Sequence, residues 1–191
     1  MQEIKIKKSY LIIGVIIVLA LTIFFFVPKF TGNAVKETEN NQPTQAALNI
    51  GLNVGQSAPD FTLEDPANRV ITKETFQGKP LIIFFTTTWC VPCQIGAQNL
   101  ARYDDETGGN AFNVLIVFVD ERETDSQFLT FKENFGRSDW YVAKGIEMAQ
   151  TYKVQYLDTK YVFGKNGIIK WFDVRPLEYS ATKSILQPLL S

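Results

Sequence analysis

The sequence contains no histidine and only two cysteines among its 191 residues. Without histidine, the chain cannot build a Ser/His/Asp or Cys/His catalytic site, bind a metal through imidazole or use a histidine proton switch. Two cysteines are too few for a scaffold held together by disulfides. The formal net charge of -1 supplies no strong field toward phosphates. We therefore expect no nucleic-acid partner, and the two cysteines become the main candidates for chemistry.

A long apolar segment lies near the N-terminus. Residues 11–27 carry no charge and are mostly Leu, Ile, Val and Phe, with three lysines shortly before them and one shortly after. With its flanks, the segment is long enough to span a bilayer, so we predict a transmembrane signal anchor over residues 9–28. The lysine asymmetry places residues 1–8 in the cytoplasm and the rest of the chain outside it, attached to the cell membrane by a single pass. Signal cleavage near Gly32 remains an alternative.

The remainder divides into a polar linker, residues 29–54, and one folded domain, residues 55–191. Short apolar runs at 81–86 and 112–119 predict buried strands. Apolar periodicity and helix-ending glycines predict helices between them and after them. The full set of predicted elements comprises strands at 81–86, 112–119, 140–143, 160–163 and 168–172, and helices at 92–107, 126–135, 145–152 and 181–190. This alternation predicts an α/β domain with a central mixed sheet flanked by helices.

The two cysteines stand in the run Cys90-Val91-Pro92-Cys93, between the first strand and the helix that follows it. At a helix N-terminus, free backbone N–H groups and the helix dipole stabilise a thiolate. Two intervening residues let one helical turn bring the sulfurs together, so Cys90 can attack a disulfide and Cys93 can resolve the mixed intermediate. Pro92 is tolerated in the first helical turn. Zinc needs about four ligands, so we expect neither a metal nor a cofactor.

Trp89 directly precedes the first cysteine. Two interpretations remain open for this side chain. In the first, the indole shields the disulfide and contacts the partner protein; in the second, it merely packs against the helix.

Several motifs occur in one order along residues 55–191 and together resemble a known family. They are Gly55-x-x-Ala58-Pro59-Asp60-Phe61, Phe76-x-Gly78-Lys79-Pro80, Trp89-Cys90-x-Pro92-Cys93 and Tyr152-x-Val154. The series is similar to the TlpA/ResA branch of the thioredoxin superfamily. This resemblance implies a thioredoxin fold and disulfide exchange with extracytoplasmic protein substrates, including apocytochromes. It also implies an electron donor in the membrane or outside the cytoplasm.

The sequence departs from the family pattern at two places, one before the first cysteine and one after the second. The family usually has an acidic or amide residue six positions before the first cysteine, where it can assist proton transfer, but this chain has Phe84. A ResA-like glutamate three residues after the second cysteine is replaced by Gly96, and a frequent proline by Gln98. These differences leave a role in cytochrome maturation open.

A third departure concerns the proline that normally faces the two sulfurs in a cis conformation. Asp158 aligns with it, and no proline occurs between Pro92 and Pro176. A cis bond before a residue other than proline costs about 2.5–4 kcal/mol, so we predict a trans peptide between Leu157 and Asp158. Asp158 is then either a solvated loop residue or a replacement proton carrier beside the sulfurs.

The predicted function is disulfide exchange with protein substrates, with the enzyme acting mainly as a reductant. Val91 and Pro92 offer no charge that would stabilise a Cys90 thiolate, so the reduced form is less favoured than in strongly oxidising relatives. One alternative is a copper-handling protein that resembles the SCO chaperones, although these use a histidine. Another is a thiol peroxidase, because Thr87 lies three residues before Cys90, but the expected proline before it is Ile83.

Overall fold

A computed structural model describes residues 49–190, and the predicted anchor over residues 9–28 lies outside this range. The strands, in chain order, are β1 (Thr62–Glu64), β2 (Val70–Thr72), β3 (Leu81–Thr86), β4 (Asn113–Phe118), β5 (Tyr141–Lys144), β6 (Thr159–Phe163) and β7 (Ile169–Asp173). The helices are α1 (Val91–Glu106), α2 (Asp125–Phe135), α3 (Ile146–Thr151) and α4 (Tyr179–Leu186). Short 3-10 turns occupy Lys73–Phe76 and Gln187–Leu189.

Five strands form one mixed sheet in the order β5-β4-β3-β6-β7. Strands β3, β4 and β5 run parallel, whereas β6 is antiparallel to β3 and β7 is antiparallel to β6. The predicted α/β domain with a central mixed sheet is therefore confirmed, and its architecture is the thioredoxin-like one. Strands β1 and β2 pair separately as a two-stranded antiparallel sheet.

Both faces of the central strand are covered, which is why its sequence is a continuous apolar run. Alternate residues of β3 point to opposite sides: Ile82 and Phe84 join a cluster that includes Leu100 of α1, while Ile83 and Phe85 join a cluster on the other face. All six residues of β3 are buried. Burying a large apolar side chain contributes about 1.5–3 kcal/mol, so this strand anchors the domain.

Some sequence expectations need correction. The β1–β2 hairpin was not predicted, because each strand has only three residues and offers too short a pattern. Ile95 is one of the apolar residues that predict a buried side for α1, but it is 54% exposed. The last helix begins at Tyr179, two residues before the predicted start. The end of the predicted linker, residues 29–54, also pairs with the domain: the Ser57 N–H donates to the Asn49 carbonyl, and the Gly51 N–H donates to the Ser57 carbonyl.

In residues 49–190, no helix has both the length and the apolar character that crossing a membrane requires.

Candidate active site around the Cys90–Cys93 disulfide

Cys90 and Cys93 form a disulfide at the start of α1, with their Cα atoms 5.3 Å apart. Cys90 is the N-cap of the helix, and its carbonyl accepts a hydrogen bond from the Gln94 N–H at 3.0 Å. Cys90 is 7% exposed, whereas Cys93 is fully buried. Of the two residues, Cys90 is therefore the one with some surface exposed to solvent.

The first turn of α1 favours a thiolate on Cys90. Pro92 lies in this turn, where a helix lacks acceptors for its backbone N–H groups, so the missing N–H of proline costs little. No acidic residue occupies the first turn. The remaining free N–H groups and the positive end of the helix dipole therefore act on the first sulfur without an opposing charge in that turn.

The loop between β3 and α1 is held by contacts from two directions. The Cys90 N–H donates to the Thr87 carbonyl at 3.3 Å, and the Gln94 side chain donates to the Thr88 carbonyl at 2.8 Å. From the other side, Glu123 Oε1 accepts hydrogen bonds from the Thr88 N–H and from its hydroxyl group, at 2.6 and 2.5 Å. The main chain that leads to Cys90 is therefore held by hydrogen bonds from helix α1 and from the segment after β4.

Trp89 is 60% exposed, and its Nε1 donates to Asp120 Oδ2 at 3.3 Å. Asp120 is itself bound by Arg122, whose hydrogen bonds lower the pKa of the Asp120 carboxyl. The interpretation of Trp89 as a side chain that only packs against the helix does not fit this exposure. An exposed indole oriented by a carboxylate is available to a protein that approaches Cys90.

Sequence reasoning missed Asp120 and Glu123. Strands β3 and β4 are parallel, with Thr86 opposite Phe118, so the segments that follow them leave the sheet at the same edge. Acidic residues just after the second apolar run could have indicated this meeting point. Thr88 and Glu123 are 35 positions apart in the sequence, so no local sequence pattern predicts their contact.

Phe84 occupies the position where the family usually has a polar helper, and it is fully buried in β3. A Cβ added to Gly96 would lie 3.5 Å from Phe84 Cζ, an ordinary contact distance, and 3.3 Å from Leu177 Cβ, which is a tight one. Phe84 and Gly96 are therefore neighbours, and the missing Cβ relieves a contact with Leu177 rather than with the aromatic ring.

Asp158 lies just before β6 in the left-handed region, with φ of 67°, and the described chain contains no cis peptide bond. The predicted trans geometry is confirmed. The solvated-loop interpretation is wrong, because Asp158 is only 5% exposed and its Oδ1 lies 2.5 Å from Lys160 Nζ. Lys160 also donates to the Asp158 and Arg175 carbonyls, and its Nζ lies 4.9 Å from the Phe84 ring centroid.

Burial controls the protonation of this pair. It raises the pKa of Asp158 and lowers that of Lys160, because both charged forms lose solvation, while the ion pair acts against each shift. Asp158 Oδ2 is buried and receives no hydrogen bond within residues 49–190. The carboxyl group thus keeps one free acceptor position in the interior.

The loop that carries Asp158 meets the cysteines at one end of the sheet. Thr159 pairs with Phe85 near the end of β3, and the chain reaches Cys90 four residues after β3 ends. Leu157 packs against the apolar cluster that includes both cysteines. The arrangement brings a buried carboxyl to the end of the sheet where the sulfurs lie.

Metal chemistry finds no support in the part of the chain that the structure describes. Across residues 49–190, no group of three or more His, Cys, Asp or Glu side chains is placed to hold a metal ion.

The fold and the site define a thioredoxin-like protein with a two-cysteine centre at a helix N-terminus. A sequence profile of the AhpC/TSA family matches residues 54–172, and the chain belongs to that family.

Named relatives agree with this assignment. The thiol-disulfide oxidoreductase ResA of Bacillus thuringiensis subsp. konkukian (strain 97-27) is 25% identical over 189 residues, which cover 96% of each chain. A solved thiol:disulfide interchange protein of the thioredoxin family from Chlorobium tepidum TLS superposes with a TM-score of 0.61 at 18% identity, over 71% of this chain and 96% of that one. This solved structure shows the fold alone, whereas the likeness to ResA, the family match and the cysteine pair described above identify the protein as a thiol:disulfide oxidoreductase.

Copper-binding relatives share the same fold. The structure of ScoI with copper bound, from Bradyrhizobium japonicum, superposes with a TM-score of 0.56 at 17% identity, over 69% of this chain and 98% of that one. At this identity the likeness concerns the fold alone, so it assigns no copper site to this chain.

Proposed function

We propose that the protein reduces disulfides in other proteins outside the cytoplasm. The observation that carries this proposal is the placement of the pair: a Cys90 sulfur near solvent at a helix N-terminus, with the buried Cys93 one turn behind it. A partner disulfide can reach the first sulfur, while the second is protected from competing thiols.

The exchange runs in two steps. The Cys90 thiolate attacks one sulfur of the substrate disulfide, forming a mixed disulfide and releasing the other substrate sulfur as a thiolate, which takes up a proton. Cys93 then loses its proton and attacks the Cys90 sulfur, which breaks the mixed bond and releases the second substrate thiol. The substrate gains two electrons and two protons, and the enzyme is left as the disulfide. A dithiol protein donor outside the cytoplasm or in the membrane must then reduce it again.

Asp158 is the proposed acceptor of the proton that Cys93 loses. Three features support this role: the carboxyl is buried, it lies in a loop packed against the cysteine cluster, and its Oδ2 has no hydrogen-bond donor among the described residues. Phe84 cannot serve in its place because it has no titratable group. In this proposal the family's polar helper is replaced by a carboxyl from the loop before β6.

The reducing direction follows from the surroundings of the thiolate. Val91 and Pro92 add no positive charge or side-chain donor at Cys90. The charge of Asp158 is opposed by Lys160, so this carboxyl should raise the cysteine pKa less than an unpaired one would. The absence of a stabilising charge at Val91 and Pro92 is therefore the main reason why the disulfide form should be favoured.

The extracytoplasmic location rests on the apolar segment and its lysine asymmetry. In this arrangement residues 9–28 hold the protein in the membrane, and residues 29–54 let the domain reach substrates of different sizes.

Parallel assays of the full chain in detergent test the proposed activity. The protein should accelerate insulin reduction by dithiothreitol, should not bind copper(I) tightly and should not consume peroxide faster than a Cys90→Ser control. Tight copper binding without insulin reduction would replace this proposal with copper handling. Rapid peroxide turnover would indicate a peroxidase.

A further inference from the structure

Glu123 is a buried carboxylate that no part of the disulfide exchange described above uses. It is 4% exposed, although glutamate is rarely buried without a partner. Its Oε1 accepts both hydrogen bonds from Thr88, and its Oε2 is buried without a hydrogen bond from the described chain. Burying a carboxylate costs free energy, so its retention here calls for a role at this position.

The contact fixes the main chain two residues before the nucleophile. Glu123 holds the N–H and the hydroxyl of Thr88, while the Gln94 side chain on α1 holds the Thr88 carbonyl. The N–H and the hydroxyl of Thr88 are therefore bound by the segment after β4, and its carbonyl is bound by the helix that carries the cysteines. Movement of Glu123 would be transmitted through Thr88 and Trp89 to Cys90.

Glu123 is itself placed by a tight turn. Its backbone N–H donates to the Asp120 carbonyl at 3.2 Å, in the segment that leaves β4. The Val119 N–H donates to the Thr86 carbonyl at 3.0 Å, which continues the β3–β4 pairing one step beyond the strands. Backbone hydrogen bonds therefore fix the segment that carries Glu123, and they hold its carboxylate against the loop before α1.

We propose that Glu123 is a positioning residue for Cys90: through Thr88 it fixes the loop that presents the nucleophile, and its negative charge disfavours the Cys90 thiolate. The proposal deepens the disulfide-exchange function and rests on it. The charge effect favours a reductant, because a less stable thiolate means a less stable reduced form.

Other charged groups near the site are paired or lie on another side. Asp120 is bound by Arg122 on the same turn. Lys144 of β5 donates to the Glu121 carbonyl at 2.9 Å. On the other side of β3, Asp158 is paired with Lys160. The hydrogen bonds that Glu123 accepts from the described chain come only from the neutral groups of Thr88, while Arg122, next to it in the chain, is a cation that interacts with its charge.

The test uses Glu123→Gln and Glu123→Ala in the full chain, with Glu121→Gln as a matched control. Glu121 is an exposed glutamate on the same turn, so its replacement changes the net charge equally. In a Cys93→Ser background, the pH dependence of iodoacetamide reaction measures the pKa of the Cys90 thiol without any protein substrate. We expect Glu123→Gln to shift this profile to lower pH by about half a unit, roughly a threefold change in thiolate fraction, because the acceptor oxygen remains while the charge is lost.

In the two-cysteine protein, Glu123→Ala should lower kcat/KM for insulin reduction by about tenfold, because the loop loses its attachment as well. Glu123→Gln should recover most of that loss, and Glu121→Gln should match the parent in both assays. An unmoved Cys90 profile in Glu123→Gln, or an equal shift in Glu121→Gln, would overturn the proposal. Equal kcat/KM in all variants would do the same.

Failure of the proposed function gives a different result. If the parent protein does not reduce insulin but Glu123→Gln still shifts the Cys90 profile, the disulfide-reductase proposal fails and the electrostatic role of Glu123 stands. Should Glu123→Ala fail to fold, Glu123→Gln alone decides, since it preserves the size and the hydrogen-bond acceptor of the side chain.

Discussion

Lys160 Nζ donates a hydrogen bond to the carboxylate of Asp158 at 2.5 Å, and both side chains are buried. The same ammonium group also binds the Asp158 and Arg175 carbonyls, so one buried charge joins the loop before β6 to the segment after β7. A loop residue that stands in for the usual proline is therefore stabilised by an ion pair. Removal of either partner leaves an uncompensated charge in the interior.

Lys160→Met should destabilise the domain by about 3–5 kcal/mol, because it leaves the Asp158 carboxylate buried without its partner. Adding Asp158→Asn to Lys160→Met should recover a large part of this loss. Urea unfolding of the two variants and the parent measures the effect. A double variant no more stable than Lys160→Met would contradict the pairing as the cause.

The loss of stability caused by Lys160→Met should depend on pH. Burial raises the pKa of Asp158, and loss of the ammonium raises it further. A carboxyl whose folded pKa lies above its unfolded pKa stabilises the fold below the unfolded value, and that contribution is lost as pH rises through the folded value. The stability gap between Lys160→Met and the parent should therefore narrow toward pH 4 and widen toward pH 7. A gap that is constant over this range would count against an ionised Asp158 as its source.

Cys90 should be the only attacking thiol. Cys93→Ser is expected to trap a mixed disulfide with substrate proteins, because the sulfur that resolves the intermediate is gone, whereas Cys90→Ser should trap none. Non-reducing gel electrophoresis after mixing with a disulfide substrate detects the product. Equal trapping by both variants would remove the assignment of roles.

The redox potential of the pair should lie near the thioredoxin end of the range, about -270 mV, rather than near about -120 mV. Equilibration against a dithiothreitol or glutathione buffer measures it. Asp158→Asn should change the potential only slightly, because Lys160 already offsets the charge of the carboxylate. A potential above about -180 mV would exclude the proposed role as a reductant and favour a role as an oxidase or isomerase.

The catalytic domain is expected outside the cytoplasm. A reporter fused after Ser191 should be active when it is of the type that folds only outside, because three lysines precede the apolar segment and one follows closely. A reporter that functions only in the cytoplasm should stay inactive in the same fusion. The reverse result would invert the predicted topology.

The sequence alone determined the parts of this protein that depend on short stretches of chain. The β3 strand from Leu81 to Thr86 follows from a continuous apolar run, and the disulfide follows from two cysteines one helical turn apart at a helix start. The absence of histidine removed whole classes of chemistry without any structure. The trans peptide at Asp158 followed from the cost of the cis form at a residue other than proline.

The tertiary structure determined which side chains lie near the two sulfurs. Asp158 could have been a solvated loop residue until Lys160 was found against it, and Glu123 acquired a role only when parallel pairing of β3 and β4 brought it to Thr88. The exposure of Ile95 likewise depends on what α1 packs against, not on its spacing. Strand register and layer packing set these contacts across the fold, and such long-range geometry leaves no periodic signal in a single sequence.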